Sequence, residues 1–203
     1  MRVKEACPHC DTTGFAFRHT LGETANFIIC DAHPLMEGHL LIIPREHLSC
    51  AGAFPPKLFQ EFLTLFHRCW NFLKKEYGNV SAFEHGQIGQ TVFHAHMHLL
   101  PCAPNPRAIV PEGQHHLTVI SGAEELPRIF KNDGRYLFLA INDQSWIVDP
   151  SLGAPRFFRD RFASALGVPE RGNWQEMDDN PALMQTAEQE IARCKERWLR
   201  AHP

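Results

Sequence analysis

Residues 93–101 of this 203-residue chain read Phe-His-Ala-His-Met-His-Leu-Leu-Pro, so three histidines alternate with apolar residues. Side chains at i, i+2 and i+4 of a β-strand share one face, and the alternation therefore predicts a half-buried strand. Successive histidines among His94, His96 and His98 would stand about 6.5 Å apart on that face, at roughly 3.3 Å of rise per residue. Imidazole can act as nucleophile, acid, hydrogen-bond donor or metal ligand near neutral pH, so this run is the strongest candidate for a functional site. A purification tag would lie at a terminus and would lack the interleaved apolar residues.

The composition is that of an ordinary globular chain with one anomaly. Hydrophobic residues make up 44% and charged residues 21%, whereas thirteen histidines is a high count. A formal net charge of −3 provides no general attraction for nucleic acid or for an anionic membrane surface. The chain begins Met-Arg-Val-Lys without an apolar signal segment, and no run approaches the roughly 18 apolar residues of a membrane span. Of the seven cysteines only Cys7 and Cys10 are closely spaced, which favours a reducing, cytoplasmic location.

Apolar periodicity predicts the elements of the first half of the chain. Short apolar runs at 27–30 and 40–43 indicate strands, and turn residues separate them. From 56 to 77 apolar residues recur every three or four positions, which predicts an amphipathic helix that ends before a glycine. Residues 80–83 and 92–100 are predicted to be strands. Two strands, a long helix and two further strands indicate an α+β fold with a mostly antiparallel sheet.

A proline-rich break after the histidine run separates this part from the rest of the chain. Prolines recur at 101, 104, 106 and 111. Beyond them the pattern predicts three strands and two helices, at 117–120, 136–141, 146–148, 157–166 and 181–199. We therefore predict a catalytic domain over residues 1–111 and a C-terminal α+β extension over residues 112–203.

The histidine run and its neighbours resemble the histidine triad (HIT) family. Residues 94–100 match that family's His-φ-His-φ-His-φ-φ signature, where φ is hydrophobic, at every position. Upstream, residues 38–47 resemble its Gly-His step, apolar strand and Pro-(Lys/Arg)-x-His end, and residues 89–92 resemble its Gly-Gln-(Ser/Thr)-Val step. The resemblance covers roughly residues 5–103, about half the chain. It implies a HIT-like antiparallel sheet with a long packing helix, to which the C-terminal strands and helices are added.

The resemblance implies a nucleotidyl hydrolase or transferase that cleaves a nucleoside-phosphate ester, anhydride or phosphoramidate. The middle histidine is the family's nucleophile, so His96 would form a covalent nucleotidyl intermediate. A neutral imidazole nitrogen is a competent nucleophile at pH 7, and its phosphoramidate is labile enough to be hydrolysed in a second step. His98 and His39 would bind phosphate oxygens or relay protons, and Gln90 and Thr91 would contact the substrate. The expected partner is a nucleotide or a nucleotide conjugate.

Simpler interpretations stay open for these residues. A lone buried histidine is more often a satisfied core residue, a Gly-His step is common at strand starts, and a threonine enters strands without any function. Two other functions also stay open, namely a nucleotide-binding scaffold with little or no catalysis and a dinucleoside polyphosphate phosphorylase. Many HIT proteins are homodimers that extend one sheet across a two-fold axis, and here the extension could instead cover that edge.

Residues 7–10 read Cys-Pro-His-Cys, the spacing that lets two thiolates bind one tetrahedral Zn²⁺. Some HIT relatives and the related nucleotidyl-hexose transferases resemble this chain in a Cys-x-x-Cys start. In them zinc is completed by the histidine after Pro-(Lys/Arg)-x and by the first triad histidine. The resemblance implies four ligands of a closed, structural zinc site: Cys7, Cys10, His47 and His94. His9 competes with His47 for this role, and a redox-active pair is a further alternative, although no predicted strand precedes residue 7.

Two stretches depart from the family pattern or lie beyond it. Residues 83–86 read Phe-Glu-His-Gly where several HIT branches have a polar amide that contacts substrate, which argues against dinucleoside polyphosphate specificity. Glu84 and His85 either face the pocket or lie at a solvated strand end. Three arginines flank an aromatic pair farther along the chain: Arg156, Arg159 and Arg161. They bind substrate phosphates or form the solvated face of a helix, and we favour the second interpretation. Trp174 is predicted to be a packing residue.

Overall fold

The computed structural model describes residues 7–11 and 19–202. The strands in these residues are β1 Thr20–Glu23, β2 Phe27–Cys30, β3 Leu40–Pro44, β4 Ser81–Gly86, β5 Met97–Leu100, β6 Leu117–Ile120, β7 Tyr136–Ile141 and β8 Gln144–Val148. They form one sheet in the order β1-β2-β3-β5-β4-β7-β8-β6, in which all neighbouring strands are antiparallel. The predicted α+β class with a mainly antiparallel sheet is therefore confirmed.

Helices cover both faces of this sheet. In the described residues the α-helices are α1 Pro56–Tyr77, α2 Pro106–Ile109, α3 Leu126–Asp133, α4 Phe157–Ala165, α5 Trp174–Asp178 and α6 Pro181–Ala201. None of these helices is long and apolar enough to cross a membrane. The predicted helices at 56–77, 157–166 and 181–199 are thus confirmed to within two residues at each end.

The long helix α1 supplies much of the main core. α1 begins with a proline, which suits the first helical position because a backbone N–H there would have no intrahelical acceptor. Gly78 ends the helix with a φ of 90°, a conformation that favours glycine. Its apolar stripe is buried on one face of the sheet: Phe59, Phe62, Leu65, Phe66, Cys69, Phe72 and Leu73. Burial of one such aromatic or leucine side chain stabilises the fold by about 1.5–3 kcal/mol. α6 joins this core through Trp198, whose ring packs edge-on against Phe72 at 4.9 Å.

The opposite face of the sheet carries a second core and the candidate site. Leu41, Phe83 and His98 lie side by side on neighbouring strands on this face, because the register pairs Leu41 with His98 and His98 with Phe83. Phe158 and Phe162 of α4 pack on Phe83 with ring centroids 5.2 and 5.1 Å apart. α4 therefore closes the second core next to the triad.

The predicted strand over residues 92–100 is wrong in its first half. β5 begins only at Met97, and the chain before it bends, with the His94 N–H donating to the carbonyl oxygen of Val92. The Ala95 N–H donates to the Leu48 carbonyl oxygen in a loop instead of joining the strand ladder. Of the three triad histidines, only His98 thus lies in the sheet. Burial still follows the predicted alternation, since Ala95, Met97 and Leu99 all lie in the main core.

The C-terminal strands continue the same sheet. β7 pairs with β4 along its whole length, from Ser81 opposite Ile141 to Gly86 opposite Tyr136. β4 is therefore paired on both sides, and within the described residues the free edges are β1 and β6. The division at residue 111 stays a prediction, and so does a homodimer. A second copy that extends the sheet would pair at one of those two edges.

Candidate active site and metal centre

The middle triad histidine faces a cavity of about 330 Å³ beside the sheet. The Nδ1–H of His96 donates to the His94 carbonyl oxygen at 2.6 Å, so the lone pair is on Nε2. Burial lowers the pKa of His96 to about 4, which leaves the ring neutral at pH 7. The structure thus places at the cavity a neutral imidazole whose tautomer is set by a backbone bond.

His39 and His98 form a hydrogen-bonded pair next to His96. The Leu35 N–H donates to His39 Nδ1 at 3.1 Å, which assigns the His39 proton to Nε2. That Nε2–H then donates to His98 Nδ1 at 2.9 Å, and the His98 proton lies on Nε2. Burial holds the pKa of both rings well below the usual value. The ring centroid of His98 lies 5.1 Å from that of His96.

Asp31 lies behind this pair and was not singled out in the sequence. Its Oδ1 accepts the His33 N–H at 3.0 Å, and its Oδ2 lies 3.3 Å from His39 Nδ1. That approach lacks hydrogen-bond geometry, and Oδ2 has no hydrogen-bond partner among the described residues. Burial raises the pKa of Asp31 to about 7, although the positive charge of Arg159 acts against it. In the sequence, the signal that could have pointed to Asp31 is its position directly after the buried strand β2.

Gln90 and Thr91 both line the cavity. Gln90 is buried, and its Nε2–H donates to the Ser49 carbonyl oxygen at 2.8 Å while its Oε1 has no partner in the described part of the chain. The Thr91 hydroxyl accepts the Trp174 indole N–H at 3.4 Å. The structure therefore brings both residues of the Gly-Gln-Thr step to the same cavity as His96.

The C-terminal extension contributes to the cavity wall, which the favoured interpretation of its arginines did not anticipate. Arg159 is not on a solvated helix face, because α4 turns it inward and it is 8% exposed. Its guanidinium donates to the His33 carbonyl oxygen at 2.6 Å and to the Gly172 carbonyl oxygen at 3.0 Å. Arg161 does lie near the surface, where it pairs with Glu112 at 2.6 Å.

Arg156, Trp174 and Asp178 are the other residues of the extension that line this cavity. Trp174 is only partly buried, and its ring centroid lies 5.6 Å from that of His33. It is therefore a cavity-lining residue and not only a packing residue as predicted. Arg156 donates its backbone N–H to the Gly89 carbonyl oxygen at 3.3 Å, which holds the extension against the Gly-Gln-Thr step.

Glu84 and His85 are both buried, so neither lies at a solvated strand end. His85 faces the cavity, and its Nδ1–H donates to the Ile88 carbonyl oxygen at 2.7 Å. Glu84 points to the other side, where its carboxylate accepts the Ala51 N–H at 2.8 Å and the Tyr136 hydroxyl. Burial raises the pKa of Glu84 to about 7 and lowers that of His85 to about 4.

These shifts predict an acid-sensitive fold, which His85→Gln tests. The folded-state pKa of His85 is about 4 against 6.5 in the unfolded chain, so the unfolded state binds the proton first as the pH falls. The stability that His85 contributes is present above pH 6.5 and is lost as the pH falls towards 4, a loss of about 3 kcal/mol. Between pH 7 and pH 4 we expect the free energy of unfolding, measured by urea titration, to fall by about 3 kcal/mol less in His85→Gln than in wild type.

Comparing the two proteins at each pH isolates His85 from the other titrating groups. Asp31 and Glu84 have raised pKa values and gain stability as the pH falls, but they are common to both proteins. Parallel stability curves for wild type and variant would contradict the prediction.

The four predicted metal ligands come together at the Nδ1 side of the His94 ring. The ligand atoms of Cys7, Cys10, His47 and His94 all lie within 4.8 Å of one another. Cys10 Sγ lies 3.1 Å from His47 Nδ1 and 3.4 Å from His94 Nδ1, and Cys7 Sγ lies 3.6 Å from His94 Nδ1. Sulfur and nitrogen ligands of tetrahedral zinc stand about 3.5 Å apart for usual bond lengths, so the residues fit such an ion.

The orientation of His94 supports the same use. Its Nε2–H donates to the Pro44 carbonyl oxygen at 2.7 Å, which leaves the Nδ1 lone pair directed at the thiols. A backbone partner of this kind commonly orients a metal-binding imidazole. His9, the alternative to His47, is not in the cluster, and its ring meets His94 edge-on at 5.7 Å.

Comparison with known proteins places this geometry in a family. The HIT domain profile matches residues 20–105. An uncharacterised HIT-like protein of Mycoplasma genitalium, MG132, is 32% identical over 102 residues, which are 47% of this chain and 72% of that protein. Adenylylsulfatase HINT3 of Arabidopsis thaliana is 31% identical over 77 residues, 36% of this chain and 39% of that protein.

Among solved structures, a Zn-bound histidine triad family protein of Mycobacterium smegmatis is 24% identical, with a TM-score of 0.39 over 48% of this chain and 76% of that one. The chain spans 39% to 55% of the length of two of the curated relatives it matches. At 32% identity, the match covers more than two thirds of the length of the Mycoplasma relative. The chain therefore belongs to the HIT family.

Proposed function

We propose that this chain is a nucleotidyl hydrolase or transferase in which His96 is the nucleophile. One observation carries the proposal: His96 is neutral, its Nδ1–H is engaged by the His94 carbonyl oxygen, and its free Nε2 belongs to a residue that lines the cavity. A core histidine would have no need of an open cavity at its lone pair. The nearby His39–His98 pair supplies the donors that such a reaction requires.

In the first step the Nε2 lone pair of His96 attacks the phosphorus of a nucleoside phosphate. A P–N bond forms, the bond to the leaving group breaks, and its electron pair departs with the leaving group. A sulfate or phosphate leaves as a stable anion and needs no proton. A leaving amine takes a proton from solvent, while the His98 Nε2–H, oriented by the His39 hydrogen bond to His98 Nδ1, donates to a phosphoryl oxygen.

In the second step an acceptor replaces His96 on phosphorus. Water attacks, and its proton passes to solvent. The P–N bond breaks, and its electron pair returns to His96 Nε2, which restores the starting state. A phosphate ion in place of water would give a nucleoside diphosphate, and the same site would then act as a phosphorylase.

The cavity is suited to one nucleotide. Its volume of about 330 Å³ lies at the lower end of small-molecule pockets, which are roughly 300–1,000 Å³. The free oxygens of Asp31 and Gln90 are acceptors for hydroxyl or amino groups, and the Thr91 hydroxyl can contact phosphate. The related adenylylsulfatase, 31% identical over the matched residues, favours an adenosine phosphate with an anionic leaving group. The scaffold function lacks an observation of this kind in its favour.

We also propose that the Cys/His cluster binds zinc in a structural role. Four protein ligands complete a tetrahedral ion and leave no open position for water. When bound, the ion would cross-link the N-terminal turn to the segments that carry His47 and His94. His94 would then orient the chain through its carbonyl oxygen, which holds His96, and would take no part in proton transfer.

Trapping the covalent intermediate tests the function. Wild type is mixed with adenylyl sulfate, adenosine phosphoramidate or a diadenosine polyphosphate, quenched under alkaline denaturing conditions and analysed by intact mass spectrometry. We expect a mass increase of one adenylyl group, its loss in His96→Ala, and AMP as the product. Release of ADP from adenylyl sulfate in the presence of phosphate would identify the phosphorylase. Absence of both turnover and adduct over the panel would contradict the proposal.

A further inference from the structure

His9 lies between the two cysteines of the N-terminal turn but points away from the metal ligands. The Cys10 N–H donates to the Cys7 carbonyl oxygen at 3.0 Å, and this turn directs both thiols at the metal cluster. The third residue of the turn faces elsewhere, and His9 lines the same cavity as His96. The ring centroids of His9 and His96 are 5.1 Å apart, with the rings tilted by 65°.

Two imidazoles therefore flank His96 at equal distance. The ring centroid of His98 also lies 5.1 Å from that of His96. In the described residues no ring contact joins His9 to His98, so the two approach His96 from different directions. His98 Nδ1 accepts the His39 Nε2–H, whereas His9 Nδ1 has no hydrogen-bond partner among the described residues. His9, His96 and His98 all line the same cavity.

The burial of His9 is unfavourable unless a ligand forms a hydrogen bond with its ring. The side chain is 9% exposed, and its Nδ1 has no hydrogen-bond partner in the described parts of the chain. Burying a polar atom without a partner destabilises a fold, and a phenylalanine or leucine could fill the same space without that cost. A buried polar side chain that lines a cavity and lacks a partner indicates a binding role at that cavity.

We propose that His9 is a second catalytic imidazole, which donates an N–H to a non-bridging oxygen of the phosphoryl group that His96 attacks. The inference rests on the proposed function of His96. Negative charge grows on these oxygens as the P–N bond forms, so a positioned donor stabilises the transition state more than the ground state. This donor lies in the turn of residues 7–10, which also carries two of the proposed zinc ligands. The turn would therefore belong to the nucleotide site as well as to the metal site.

Paired substitutions separate this role from packing. His9→Phe keeps a ring against His96 but removes both nitrogens, whereas His9→Gln keeps an N–H donor of similar reach. We expect His9→Phe to lower kcat for adenylyl sulfate on the order of 100-fold, and His9→Gln to retain most of it. Zinc content, measured by mass spectrometry of the metal, should equal that of wild type in both variants. His115→Phe, an exposed ring outside the cavity, is the matched control.

Titration with AMP and with adenosine gives a second readout that does not depend on turnover. Loss of the donor in His9→Phe should weaken AMP binding about tenfold and leave adenosine binding unchanged. A wild type without turnover whose AMP affinity still falls in His9→Phe would remove the proposed function but keep His9 as a phosphate ligand. Wild-type kcat and AMP affinity in His9→Phe, or equal losses in both variants with loss of zinc, would overturn the inference.

Discussion

Replacing His96 with alanine is expected to abolish the nucleotidyl adduct and to lower kcat/KM by about 10⁴-fold or more for every substrate that wild type uses. The reason is that the acceptor nitrogens of the neighbouring His98 and His39 already accept hydrogen bonds. His98 presents Nε2–H, and the Nδ1 of His39 is occupied by the Leu35 N–H. Neither can replace the lone pair of His96. Steady-state kinetics with adenylyl sulfate and adenosine phosphoramidate measure the loss.

Free imidazole distinguishes a missing nucleophile from a damaged site. Truncation of His96 leaves space beside His98, and added imidazole can enter it and attack phosphorus in place of the side chain. We expect millimolar imidazole to restore part of the turnover in His96→Ala and to leave wild type unchanged. His115→Ala, which alters an exposed ring outside the cavity, should behave as wild type. Near-normal kcat/KM in His96→Ala would rule out the nucleophile and favour a binding protein.

Local pattern predicted the elements of this fold well because burial follows periodicity. The three- and four-residue repeat of α1 is the face it buries, and the triad's alternation places Ala95, Met97 and Leu99 in the core. The same alternation overestimated the strand. Its first half is held by a loop, through the Ala95 N–H to Leu48, and no one-dimensional pattern carries that contact.

The site residues divide in the same way. His39, Gln90 and Thr91 could be proposed from motifs near the triad, and the structure places them at one cavity with His96 or at its edge. Arg159 was only the less favoured alternative as a phosphate ligand and Trp174 only a packing residue, because both reach the cavity only after α4 and α5 fold back across the sheet. Helical spacing alone makes Arg159 a surface residue. Its burial depends on three backbone carbonyl groups that belong to distant segments.

Replacing Cys7 with serine is expected to reduce bound zinc from about one ion per chain to a small fraction. Cys7 is buried, and its sulfur lies 3.6 Å from His94 Nδ1, so a serine leaves three ligands around an unfilled position. The four proposed ligands come together only in the folded chain, so loss of a bound ion should lower the free energy of unfolding by about 3 kcal/mol at free zinc roughly a hundredfold above Kd. Metal analysis and thermal unfolding, with and without a chelator, measure both effects.

The same substitution should also lower kcat, because it displaces His96. His94 Nδ1 lies 3.4 Å from Cys10 Sγ, and the His94 carbonyl oxygen accepts the His96 Nδ1–H. A His94 that has lost its metal would therefore loosen the tautomer and position of His96. Loss of a supporting contact of this kind lowers activity about 10- to 100-fold, and we expect the loss in kcat with KM little changed. Cys102→Ser, outside the cluster, should keep wild-type zinc and kcat. Full zinc in Cys7→Ser would reject Cys7 as a ligand. Low zinc with wild-type kcat would show that the backbone alone positions His96.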